Sequence, residues 1–126
     1  MKKALLIVSL LLVFVACKKG TTKVMCNTPS IVSFKNDIQP IFNANCNTSG
    51  CHSGNKAAGN LKLESANVYA ILLDSKSGYI DTLHPENSIL YVSMTSKTNP
   101  MPPSGKLDEC VTGLILKWIQ QGAKNN

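Results

Sequence analysis

From residue 32 onward the sequence predicts an all-α domain of three to four short helices joined by long loops. Three observations carry that expectation. Apolar residues recur at helical offsets in four short segments, and no stretch alternates apolar with polar residues over a useful length. The intervening segments 47–60, 74–86 and 96–106 are long for a compact domain and carry no period of their own. With 126 residues in all, one domain is the expectation.

The first helix is placed at 37–45, where Phe34, Ile38, Ile41 and Phe42 share one face. Pro40 is tolerable there if Asn36 or Asp37 caps the helix, because first-turn amides have no internal acceptor. A second helix is placed at 65–73, with Ser65 as cap and Val68, Tyr69 and Leu72 on one face. The third, at 87–95, presents Ile89, Leu90, Val92 and Met94. The last is the strongest: Asp108 stands at the cap position, Val111, Leu114, Ile115, Trp118 and Ile119 form a stripe, and Gly122 supplies a left-handed end. So much irregular chain around so few helices implies that something other than protein fills part of the core.

Before this domain the chain reads as an address. Met1-Lys2-Lys3 is a short positive region, and residues 4–15 are apolar except for Ser9. That run is too short to span a bilayer, which takes about 20 residues, and it fits the apolar part of a secretory signal. It ends in Phe14-Val15-Ala16-Cys17, which resembles the lipobox of bacterial lipoproteins. The resemblance implies cleavage before Cys17, a lipid on its thiol, and attachment of the exported chain to a membrane of the cell envelope, on the periplasmic side or at the cell surface. Residues 1–16 are then the signal, 17–31 a polar tether, and 32–126 the domain. All 13 basic residues are lysines, five of them before residue 30, so 8 Lys face 7 Asp plus Glu in the domain. Without arginine and with a near-neutral domain, nucleic-acid binding is a poor reading; the tail lysines suit anionic lipid.

Residues 46–52 read Cys-Asn-Thr-Ser-Gly-Cys-His. Two cysteines followed at once by a histidine suggest covalent haem attachment, with both thiols on the porphyrin vinyls and His52 on the iron. The spacing is Cys-x4-Cys-His rather than Cys-x-x-Cys-His, and Gly50 allows the extra residues to turn. Taken alone, the segment also admits a zinc site with one further ligand, or a Cys46–Cys51 disulfide beside an unrelated histidine. Asn99-Pro100-Met101-Pro102-Pro103 adds a methionine in a stiffened frame before the last helix.

These residues resemble a known family. Asp37-Ile38-Gln39-Pro40-Ile41-Phe42, the Cys-x4-Cys-His motif, Leu61 to Leu63, Ser88-Ile89-Leu90-Tyr91, Met101-Pro102-Pro103 and Trp118-Ile119-x2-Gly122-Ala123 look like the small cytochrome c-like domain common in Bacteroidetes and Planctomycetes proteins. The resemblance covers residues 32–124. It implies a class I cytochrome c fold, all α, with a haem crevice bounded by the first helix, the motif loop and the methionine loop. One covalent haem c would be held by thioethers from Cys46 and Cys51, with His52 as proximal and Met101 as distal iron ligand. Met94 and His84 are rival distal ligands, and Trp118 and Tyr91 are candidates for the haem propionates, with core packing as the alternative. Cysteine arithmetic then leaves Cys26 and Cys110, which in an oxidising compartment suggest a disulfide.

The function expected from this set is single-electron transfer to a redox partner protein rather than self-standing catalysis. No nucleophile–base set, phosphate loop or paired carboxylates are visible. The alternatives are a haem sensor or peroxidase-like module, and a haem-free metal-binding or structural lipoprotein domain.

Overall fold

The computed structural model of the chain describes residues 24–64 and 66–126. Cys17, the signal, the first part of the tether and the proposed cap Ser65 lie outside these residues. Among the described residues there is no strand, in keeping with an all-α class, and no helix is long and apolar enough to cross a membrane.

The first helix, α1, opens with a wide turn over Phe34–Ile38 and continues as regular helix over Gln39–Asn45. It begins three residues earlier than the sequence suggests. Ser33 is the cap: its hydroxyl accepts from the Asn36 amide at 3.1 Å, while the Asp37 carboxylate accepts from the Ser33 amide at 2.7 Å. The two bonds satisfy amides that the helix cannot, each end of the turn holding the other. The amide of Ile38 reaches back five residues to the Ser33 carbonyl. This widening directly precedes Pro40, whose ring would crowd the carbonyl one regular turn back.

Helix α2 spans Val68–Leu72 and α3 spans Ile89–Thr95, both shorter than the sequence suggests. A one-turn 3₁₀ segment at Ala58–Asn60 lies in what the sequence showed only as loop, and another at Pro85–Asn87 runs from such a loop into the expected start of the third helix. Helix α4, Glu109–Gln120, is the longest. Asp108 caps it by accepting from the Cys110 amide at 2.7 Å. At its other end Gly122, with φ of +87°, lets the Ala123 amide reach the Trp118 carbonyl and the Gly122 amide reach that of Ile119. This pair of reversed bonds closes the helix.

The core gathers Phe34, Ile38 and Phe42 of α1 with Val68 and Leu72 of α2, Met94 of α3, and Ile115, Trp118 and Ile119 of α4. Phe34 sits at its centre, with ring centroids 5.2 Å from Tyr69 and 5.4 Å from Trp118. Ile89 and Val92, expected to face this core, are instead about half exposed.

Segment 26–32 is laid along α4 rather than hanging free. Cys26 and Cys110 are disulfide-bonded with Cα atoms 5.3 Å apart. Lys117 Nζ donates to the Pro29 carbonyl at 2.6 Å, Gln121 Nε2 donates to that of Ser30 at 2.7 Å, and the Val32 amide donates to Gln121 Oε1 at 2.9 Å. Residues 26–32 are therefore fastened to α4.

Candidate functional site: a cleft at the Cys-x4-Cys-His segment

Helix α1 ends at Asn45, and a carbonyl of its last turn anchors the motif loop. The amides of Cys46 and Asn47 both donate to the Phe42 carbonyl, at 2.9 and 2.8 Å. The chain then turns on itself: Cys51 N–H donates to Thr48 O, and His52 N–H donates to Cys46 O at 3.2 Å. Gly50 makes that turn with φ of +82°, a conformation that a side chain disfavours. Leu63 N–H donates to His52 O, and His52 Nδ1 lies 3.2 Å from the Leu61 carbonyl. With its proton on Nδ1 given to Leu61, the imidazole keeps the Nε2 lone pair for a metal.

Cys46 and Cys51 are both free and half-buried, so the disulfide alternative for this pair is not adopted. Burial, with Cys51 nearby as the second cause, pushes the Cys46 thiol up to about 11. Among the described residues no three His, Cys, Asp or Glu side chains group to hold a metal ion.

A cleft of about 340 Å³ opens at this segment, within the range of roughly 300–1,000 Å³ usual for cofactor and small-molecule sites. Cys46, Cys51 and His52 line it, together with the buried side chains of Leu61, Leu63 and Leu72. Helix α3 contributes Ile89, Leu90, Ser93 and Met94, which lie on one face by their spacing. Met101, Pro102 and Pro103 complete the lining, tied to α3 by the Met101 amide donating to the Ser93 carbonyl at 2.9 Å.

The fold thus brings together Cys46, Cys51, His52, Met94 and Met101 around one space. Met94 is 2% exposed and Met101 is 41% exposed. His84 is not part of this arrangement. It stands in a loop with Nδ1 3.5 Å from Asp81 Oδ2, its side chain 66% exposed. Neither Trp118 nor Tyr91 lines the cleft. The indole N–H of Trp118 is already committed to the Lys124 carbonyl at 2.9 Å, so this residue serves the core. Tyr79 and Ser93, which sequence reasoning passed over, do line the cleft. Tyr79 lies in an aperiodic loop, where only the tertiary pairing of Gly78 and Tyr79 with α3 marks it.

A family model described as Planctomycete cytochrome C matches residues 49–105. The match supports a cytochrome c-like domain. It starts inside the Cys46–Cys51 interval and ends just past Met101-Pro102-Pro103, so His52 and the methionine loop fall within it. Cys46, α1 and the Trp118 helix fall outside, a narrower span than the resemblance drawn from the sequence. No curated protein and no solved structure matches the chain. The match suggests a haem-binding, electron-transfer type of domain, and the apolar cleft beside His52 is where such a group would fit. The fit rests on its donor set: two unpaired thiols, an imidazole with one nitrogen hydrogen-bonded, and two thioethers, all on a cleft that, among the described residues, no carboxylate or lysine lines.

Proposed function

We propose that the chain is a c-type cytochrome that carries single electrons through one covalently attached haem, tethered to an envelope membrane by lipid on Cys17. The observation that carries this reading is the convergence of Cys46, Cys51, His52 and Met101 on one apolar cleft. When bound, the haem supplies the one-electron chemistry. Cys46 and Cys51 would hold the ring, and the Leu61 carbonyl, bonded to Nδ1 of His52, would leave Nε2 free for the iron. Met101 would supply a thioether ligand, and the apolar lining would limit the access of water. A thioether beside an imidazole favours the ferrous state relative to two imidazoles. The near-neutral domain gives no strong field for steering, so the redox partner docks through a small, weak interface. The lipid anchor is supported by the order of charge, apolar run and Cys17 alone.

Intact-mass analysis of the chain, expressed with haem-attachment machinery, tests the central claim. We expect the mass of one covalent haem, lost in the Cys46→Ala/Cys51→Ala variant. A wild-type chain without that mass sinks the proposal. The distal ligand is tested separately. Met101→Ala should abolish the near-infrared band of thioether-ligated ferric haem, and Met94→Ala should keep it. The exposure of Met101 favours one alternative, a sensor or peroxidase-like site in which this ligand yields. Strong carbon monoxide uptake by the native ferrous protein would select that alternative.

A further inference from the structure

Residues 26–32 run beside α4 in the same direction as the helix. Cys26 is bonded to Cys110 in its first turn, Pro29 is held by Lys117, and Ser30 and Val32 are held by Gln121, just past its last residue. Cys110 and Gln121 stand about 16 Å apart along the helix, at roughly 1.5 Å per residue. The points of attachment are unequal. The disulfide is covalent, whereas the bonds to Pro29 and Ser30 are exposed to solvent, where a single hydrogen bond contributes little. Val32, 1% exposed, is the first buried side chain of the segment. Without the disulfide, the firm point of entry is therefore Val32, at the C-terminal end of α4. With it, the point of entry is Cys26, at the N-terminal end.

Resting on the lipid anchor proposed at Cys17, we infer that the Cys26–Cys110 disulfide is an orienting strap, which presents the N-terminal end of α4 to the bilayer surface. Nine residue steps separate Cys17 from Cys26, and they span at most about 30 Å. To Val32 there are fifteen, spanning at most about 50 Å. The bond thus shortens the reach of the domain and moves its pivot across the length of the helix. Charge acts the other way. Asp108 and Glu109 stand exposed at the strapped end. Lys35 and Lys124 stand exposed at the other, where the Lys35 amide meets the Asn126 carbonyl and Lys124 shares a hollow with Val32 and Gln121. Attraction to anionic lipid alone would turn that C-terminal end toward the membrane. The disulfide opposes this tendency and holds the opposite end down.

The test uses the full lipidated chain in vesicles containing phosphatidylethanolamine, treated with a short amine-to-amine cross-linker and mapped by peptide mass spectrometry. Lys106, exposed just before the Asp108 cap, reports the strapped end, and Lys124 reports the other. Each is normalised to its labelling by a soluble monofunctional reagent. In the wild-type chain, lipid adducts on Lys106 should exceed those on Lys124 several-fold. Cys26→Ser/Cys110→Ser should erase or reverse that excess. A Gly/Ser insertion of about twelve residues between Gly20 and Thr21 keeps the bond yet lengthens the chain ahead of it, and should reduce the excess as well. An even or Lys124-rich pattern in the wild-type chain overturns the inference, and so does an excess that survives the double substitution. If the double variant fails to accumulate, the insertion decides, an undiminished excess again overturning the inference. Failure of the lipid reading itself looks different: mass analysis then finds no lipid on Cys17, and neither lysine of the wild-type chain gives lipid adducts.

Discussion

Gly50 occupies the left-handed region in the middle of the Cys46–Cys51 interval, with nothing within 4 Å of the position a Cβ would take. The constraint there is backbone conformation rather than space. Gly50→Ala should cost about 1–2 kcal/mol of stability, as a left-handed alanine does, measured by urea unfolding. Asn, which tolerates this region better, should recover part of the loss. Cys46 provides a second prediction. Burial holds its thiol up at about 11, against an ordinary value of 9.0. The folded haem-free chain thus binds this proton more tightly than the unfolded chain does. Its contribution to stability is intact below pH 9.0 and is lost as the pH climbs toward about 11. Cys46→Ala should flatten the decline across that window, and alkylation of Cys46 should lag until the pH approaches its upper end. Met94 fills the core and the cleft wall together, so Met94→Ala should cost about 2–5 kcal/mol by thermal or urea unfolding while preserving the thioether band proposed for Met101.

Helix α4 could be read in full from its residues, because both its ends and its apolar stripe are local signals. Asp108, the buried Ile115, Trp118 and Ile119, and Gly122 all occupy the places their spacing implies. Asp108→Ala should cost about 1 kcal/mol through the lost cap, visible as a small fall in the urea midpoint with unchanged slope. Helix α1 was legible only in part. Its apolar face is as expected, but the cap moved to Ser33, since the exchange between Ser33 and Asp37 depends on a widened turn that periodicity does not encode. Helix α3 departs further. Ile89 and Val92 have helical spacing, yet they face the cleft rim and solvent, because the helix lies at an edge where one of its sides has no protein to pack against.

The described part of the chain is held together by contacts between segments distant in sequence. The carbonyl of Asn126 accepts from the Lys35 amide at 3.0 Å and from the Ser33 hydroxyl at 2.6 Å, which ties the end of the chain to the start of α1. Cys26 and Cys110, separated by 84 residues, staple the other approach. A cross-link over so long a stretch restricts the unfolded chain strongly, so Cys26→Ser/Cys110→Ser should lower stability by about 2–4 kcal/mol. Amide exchange should at the same time accelerate through the start of segment 26–32, since the bonds to Lys117 and Gln121 and the buried Val32 would then hold only its later part.

The all-α class, the Cys46–Cys51–His52 cluster and the methionine in its proline frame are local patterns, each readable from spacing and side-chain type. The tertiary structure decided which of these meet. It placed Met94 and Met101 on the same cleft as His52, left His84 in the solvent, committed the Trp118 indole to a backbone carbonyl, and brought Tyr79 out of a featureless loop. The reason is physical. A helix or a motif loop is specified by bonds between near neighbours, whereas a cleft is the space left when distant apolar surfaces close, and its lining depends on packing that no single segment contains.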